Sequence, residues 1–148
     1  LEMKKKVRGK TQKLSCGITE EQCRLLMEGA IPENIGSNQQ VLHKLAYLMA
    51  VRLMHPVIIV DYDRVPYVYR MEDANVRVTF DMNLTSSENI ADFFKARIDG
   101  RGIFGTDELL MEVKYDEFLP DEIRGLLQLE GLSASTFSKY YLCRKFKG

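Results

Sequence analysis

The sequence predicts an α+β fold built on antiparallel strands, and three observations carry that expectation. Several short segments alternate apolar and charged residues with the two-residue period of a strand. Others repeat their apolar residues with the period of a helix. Clusters of Gly, Pro, Asn and Asp separate the two kinds of segment. At 148 residues the chain suits one domain, able to bury roughly two-thirds of its unfolded surface.

The opening stretch LEMKKKVRGKTQKL reads as two strands rather than a tail. Glu2, Lys4 and Lys6 fall on one face of an extended chain, Met3 and Val7 on the other, with Lys5 as the exception. Gly9 marks a turn, and residues 11–14 return as the second strand. ITEEQCRLLMEG then carries a full helix-start signature. Thr19 is the N-cap, Gln22 stands at the capping-box position, Ile18 and Cys23 form a hydrophobic staple, and Gly29 ends the helix. A second helix is expected over residues 38–54, with Val41, Leu45, Leu48, Met49 and Leu53 as its apolar stripe and Pro56 as its stop.

The next part reads as β. PVIIVDYDRVPYVYR is a strand bent at Pro66, and residues 73–75 signal a turn. In VRVTFDMNL, Val76, Val78, Phe80 and Met82 alternate with Arg77, Thr79, Asp81 and Asn83. A short helix is expected over residues 86–98, capped by Ser86 or Ser87, followed by the glycine-rich loop DGRGIFGTD. LLMEVKYDE alternates Met111, Val113 and Tyr115 with Glu112, Lys114 and Asp116. Pro120 opens a helix running to Gly131, with Ile123, Leu126 and Leu127 facing the core. TFSKYYLCRKF is expected as a final strand.

Composition narrows the function classes. The 21 Lys and Arg balance the 21 Asp and Glu, so no global field draws the chain to nucleic acid or to a membrane surface. No apolar run reaches the ~18–20 residues needed to span a bilayer. Cys16, Cys23 and Cys143 form no CxxC pair and are odd in number, which suits reduced thiols and a cytoplasmic protein. His43 and His55 have no second ligand at metal-binding spacing and read as structural or solvated. The GRG of the glycine-rich loop lacks the preceding strand of a phosphate-binding fingerprint. Lys5, Arg8, Lys10 and the terminal CRKFKG read as surface charge.

The strand faces carry the chemistry. Their polar positions hold Lys4, Lys6, Lys13, Arg64, Arg77, Lys114 and Lys139, with the carboxylates Glu2, Asp81, Glu112 and Asp116 interspersed. One reading is a sheet with helices on one side and water on the other. The other follows from helices whose apolar stripes must cover the strands' apolar faces. If the sheet curls with helices packed outside, the charged faces line its interior. Many close cations suit a poly-anion such as triphosphate or a longer phosphate chain, with Arg supplying a fork and Lys a point charge. A carboxylate among them suits a divalent metal that bridges phosphate oxygens.

With these residues on the page, the sequence resembles the VTC domain, the polyphosphate polymerase domain of the vacuolar transporter chaperone family, within the triphosphate tunnel metalloenzymes. The likeness is carried by LEMKKK with Lys13, DYDRVPYV, NVRVTFDMNL, LLMEVKYDEFLP and STFSKYYL, in the family's order across the whole chain. It implies an antiparallel β-tunnel whose inward basic residues hold a phosphate chain. By resemblance Lys4, Lys6, Lys13, Tyr62, Arg64, Arg77, Ser138 and Lys139 bind phosphate, and Lys114 is added to them from its strand position. Arg64, Arg77 and Lys139 act in catalysis, and Glu112 holds Mn²⁺ or Mg²⁺. Lys114, Glu2 and Asp81 enter mainly through their place on the polar face. The reaction implied is transfer of the terminal phosphoryl group of ATP to polyphosphate. Hydrolysis of triphosphate or nucleoside triphosphates in the same tunnel is one alternative. Binding of polyphosphate without turnover is the other. The family's N-terminal strands, an acid–base strand and an R-x-R strand, have no counterpart here. Residues 1–148 therefore read as the C-terminal portion of the domain, an incomplete tunnel completed by strands from elsewhere or by homo-oligomerisation.

Overall fold

A computed structural model describes residues 1–7, 10–71, 74–105, 107–131 and 135–145. It is a mixed α/β chain with antiparallel sheets and, among the described residues, four α-helices. It divides into two units, Leu1–Val57 with Glu88–Ala96, and Ile58–Ser87 with Arg97–Gly148.

The first unit opens with β1 (Glu2–Val7) and β2 (Lys10–Ser15), an antiparallel ribbon in which Glu2 faces Ser15 and Lys4 faces Lys13. The turn read at Gly9 lies outside the described residues. Helix α1 (Glu20–Met27) begins as its sequence requires: Thr19 Oγ1 accepts the Gln22 N–H, and Gln22 Oε1 accepts the Thr19 N–H. Beyond its end, Gly29 takes φ +79°, a left-handed conformation that costs glycine little.

Helix α2 (Gln40–Arg52) is shorter than its periodicity suggests. Val41 and Met49 are buried, as expected of the stripe, and so is Leu42, which the stripe omitted. Leu53 is not part of the stripe. It is the C-cap, at φ 51°, and is 79% exposed. Leu26, Leu42 and Met49 form the centre of this unit's core, with Leu1, Cys16, Ile18, Met27, Ile35 and Leu45 packed around them.

A pair of amides ties these pieces together. Gln22 Nε2 donates to the Asn34 carbonyl and to Gln39 Oε1, while Gln39 Nε2 donates to Gln22 Oε1 and to the Gly17 carbonyl. Gln39 Oε1 also accepts the Gly36 N–H. The start of α2 is thereby fixed through its N-cap side chain to α1, even though that side chain does not cap α2 itself.

The second unit is a four-stranded sheet. β3 (Ile59–Met71) pairs antiparallel with β4 (Ala74–Ser87), and β4 pairs on its other side with β5 (Arg101–Gly102) and β6 (Leu110–Tyr115). Neither sheet closes into a barrel among the described residues. The turn expected at 73–75 falls partly on residues 72–73, outside the described ones, and Asn75 is already in β4. The irregularity of β3 is not at Pro66, which pairs with Thr79 in register, but at the shift between Asp61 and Asp63. There β4 carries one extra residue, Asn83 takes φ 52°, and its Nδ2 donates to Asp63 Oδ2 at 2.7 Å.

Three expected elements change form. Ser86 and Ser87 belong to β4, so the expected helix over 86–98 shrinks to a 3₁₀ turn at Ile90–Phe94. The helix after Pro120, α3 (Asp121–Leu126), ends five residues before Gly131, and Leu126 is 75% exposed rather than in the core. The final segment is a helix, α4 (Lys139–Lys145), not a strand. Ser138 Oγ accepts the Tyr141 N–H at its start. A spacing of four residues satisfies both periods, so Lys139 and Cys143 share a face in either conformation.

Replacing Gln39 by Ala strands the partners of a half-buried amide. The expected loss is about 2 kcal/mol of stability, read as a lower denaturant midpoint with an unchanged slope.

Candidate functional site

Register decides which side chains of the second unit share a face. Directly opposed residues in an antiparallel pair point the same way. Arg64 of β3 opposes Asp81 of β4. One row along, Pro66 and Glu112 flank Thr79; the next row is Val68, Arg77 and Lys114. This face therefore collects Arg64, Asp81, Glu112, Arg77 and Lys114, with Tyr62 beside Arg64. Past the bulge, Val60 opposes Ser86, so Ser86 returns to the same face.

Asp81 is the hub. Its side chain is 0% exposed, and Arg64 grips it with both prongs: Nε donates to Oδ1 at 2.6 Å and Nη2 to Oδ2 at 2.7 Å. Lys139 Nζ arrives from α4 to the same Oδ2 at 2.6 Å. Both cations lie over the Tyr62 ring, at 5.2 Å for the guanidinium carbon and 4.9 Å for the ammonium nitrogen. One turn further along α4, the buried Cys143 thiol meets Ser86. Burial pushes that thiol's pKa up, so it stays protonated.

The electrostatics follow from this packing. The hydrogen bonds from Arg64 lower the Asp81 pKa; burial opposes them, and Lys139 adds to them. In return Asp81 holds the Arg64 guanidinium still more firmly protonated. Burial pushes Glu112 upward, but its hydrogen bond to Lys114 at 2.9 Å, with the fields of Lys114, Lys139 and Arg64, leaves it below the usual carboxylate range. Two cations against one buried carboxylate leave a positive excess at this end of the face. The Thr79 hydroxyl, in the row of Pro66 and Glu112, is buried and has no hydrogen-bond partner among the described residues.

The residues singled out from the sequence divide between the units. Tyr62, Arg64 and Lys139 meet around Asp81; Glu112 and Lys114 form an ion pair within electrostatic reach of them; Arg77 opposes Lys114 in register. Ser138 serves as the cap of α4. Lys4 and Lys13 face each other on the ribbon of the first unit, where Lys13 pairs with Glu2. Lys6 opposes Thr11 in backbone register, and its side chain lies outside the described ones. Sequence reasoning set Asp81 on the polar face but gave it no binding role. Its signal was present as a carboxylate in the middle of an alternating strand, but only the register with β3 shows that it meets an arginine.

Among the described residues, no three His, Cys, Asp or Glu gather as a ready-made cation cage, and no helix is long and apolar enough to cross a membrane.

The lowered Asp81 pKa sets the sign of an acid effect. In the unfolded chain this carboxyl takes up a proton near its ordinary pKa, whereas the folded state resists. Below about pH 4 the unfolded state binds more protons. The contribution is present above that pH and is lost as pH falls through the depressed folded value. Asp81→Asn is expected to flatten the acid limb of a stability-versus-pH curve; an unchanged limb would show that Asp81 does not set it.

No curated protein and no solved structure matches the chain. A family model does: the VTC domain, over residues 1–146. With a match across nearly its whole length, the chain belongs to the VTC domain family, a polyphosphate-related family.

Proposed function

We propose that this chain contributes the phosphate-holding wall of a basic tunnel that transfers the terminal phosphoryl group of ATP to polyphosphate. The observation that carries the reading is the convergence of Arg64 and Lys139 over Tyr62, with Arg77 and Lys114 further along the same face. From Asp81 to Arg77 the cationic rows extend over roughly 14 Å of strand. A single phosphate engages one row, whereas a chain of phosphates engages all of them.

Arg64 and Lys139 align the reacting end of the chain, and Arg77 extends the grip. Such transfer depends on positioning and charge neutralisation rather than on covalent chemistry by the protein. Within the first unit, Lys4 and Lys13, exposed on a ribbon face, are phosphate-contact candidates by the family pattern, as is Ser138 within the second. Glu112 suits Mn²⁺ or Mg²⁺ in the manner of sites where one carboxylate holds a cation whose remaining ligands are phosphate oxygens and water. When bound, that cation neutralises charge on the phosphate oxygens. Lys114 is the present partner of Glu112 and the group a cation displaces.

Incubating the protein with ATP and Mn²⁺, then resolving products by chain length, tests the reading. Polyphosphate longer than the primer supports transfer. Release of short phosphates alone assigns hydrolysis, and tight binding without product assigns a binding module. Arg64→Ala is expected to weaken binding of tripolyphosphate by roughly 10- to 100-fold, as for loss of a charge-assisted hydrogen bond. Glu112→Gln is expected to slow metal-dependent synthesis about a hundredfold; unchanged synthesis in that variant overturns its metal role.

A further inference from the structure

We infer that Asp81 is a positioning residue, which holds Arg64 and Lys139 in the orientation that receives an oligophosphate rather than merely offsetting their charge. This inference rests on the proposed phosphate reading.

The geometry separates the two roles. A counter-charge has only to lie near the cations, and an exposed carboxylate does that cheaply. Asp81 is instead wholly buried, and its two oxygens accept along the Nε–Nη2 edge of Arg64. That fork fixes the guanidinium plane and directs its remaining edge, Nη1 and the second N–H of Nη2, away from Asp81. The side chain of Arg64 is 33% exposed and that of Lys139 17%, so both are held by protein yet retain an open side. Lys139 reaches the carboxylate from another element, α4, and keeps ammonium protons that Asp81 does not use. Tyr62 lies within cation–π range of both.

The two cations come from a strand and a helix, and one carboxylate sets the relation between them. Each is long and flexible when free, and ordering it on binding lowers affinity. With Asp81 in place that ordering precedes the ligand. Two such side chains make the difference about tenfold in affinity.

The decisive property is a sign. Asp81→Asn removes a negative charge from an anion site. If Asp81 is only a counter-charge, tripolyphosphate binds this variant more tightly than wild type. If it positions the cations, binding weakens about tenfold. The experiment is calorimetric titration of tripolyphosphate into wild type, Asp81→Asn, Lys139→Ala and the double variant. A positioning role makes the Asp81→Asn loss shrink in the Lys139→Ala background to the share carried by Arg64 alone. A general loosening of the fold would lower affinity equally in both and overturn the inference, as would tighter or unchanged binding.

Should Asp81→Asn not fold, Arg64→Lys tests the same point. It keeps the charge and Asp81 but loses the fork, and the same tenfold loss is expected; full affinity overturns the inference. Failure of wild type to bind tripolyphosphate overturns the phosphate reading instead. The positioning then still has its own readout, the Arg64 Nε–H resonance. It is expected to exchange slowly with solvent in wild type and rapidly in Asp81→Asn, and equal exchange in both overturns the inference.

Discussion

The second unit depends on one constraint: a carboxylate in the middle of a strand has been taken completely out of water. An unpaired carboxylate there would cost several kcal/mol. Asp81 is tolerated because β3 is in the register that sets Arg64 opposite it, and because α4 is placed to deliver Lys139. A one-residue slip of β3 would carry Arg64 to the other face and leave the charge uncompensated. The ion triad thus specifies register and the docking of α4 more than it adds net stability. Replacing such a group by apolar residues is often neutral or stabilising, so the triad acts through what it holds in place rather than through net stability.

The bulge between Asp61 and Asp63 serves the same site. Without the extra residue on β4, Ser86 would fall on the opposite face from Asp81. With it, Ser86 rejoins that face and meets Cys143 of α4, while Asp81 meets Lys139 four residues earlier on the same helix. The helix is therefore seated at two points spaced by one helical turn. Asn83, one of the residue types that tolerate a left-handed conformation, absorbs the irregularity, and its side chain ties back to Asp63.

Much of this was legible in the sequence, and what was not has identifiable causes. The capping box of α1 is local chemistry within four residues, so Thr19 and Gln22 could be read directly. The strands around Arg77 and Glu112 could be read because strict alternation has one interpretation. The segment after Ser138 could not, since Lys139 and Cys143 are four apart and two tyrosines favour a strand on propensity alone. The amide pair of Gln22 and Gln39 joins residues 17 apart in sequence, and no periodicity encodes it. Asp81 was visible as a polar-face residue, yet its burial and its partners come from long-range register. The shared strand face of Arg64, Arg77, Glu112 and Lys114 was thus readable, and the partners of Asp81 were not.

A chain of balanced formal charge can still carry a locally cationic face because the balance is not local. Asp81 is paired twice, with Arg64 of the sheet and Lys139 of α4, so it neutralises only part of the charge that they bring. The two ends of the face then differ in kind. Lys139 is half-buried and Arg64, itself exposed, is clamped on the buried Asp81 by two hydrogen bonds, so the geometry there is fixed. Arg77 and Lys114 are exposed, where screening is strong and each contact contributes modestly. On the proposed phosphate reading, the difference between a clamped end and a freely screened end would give a bound oligophosphate a direction along the strands.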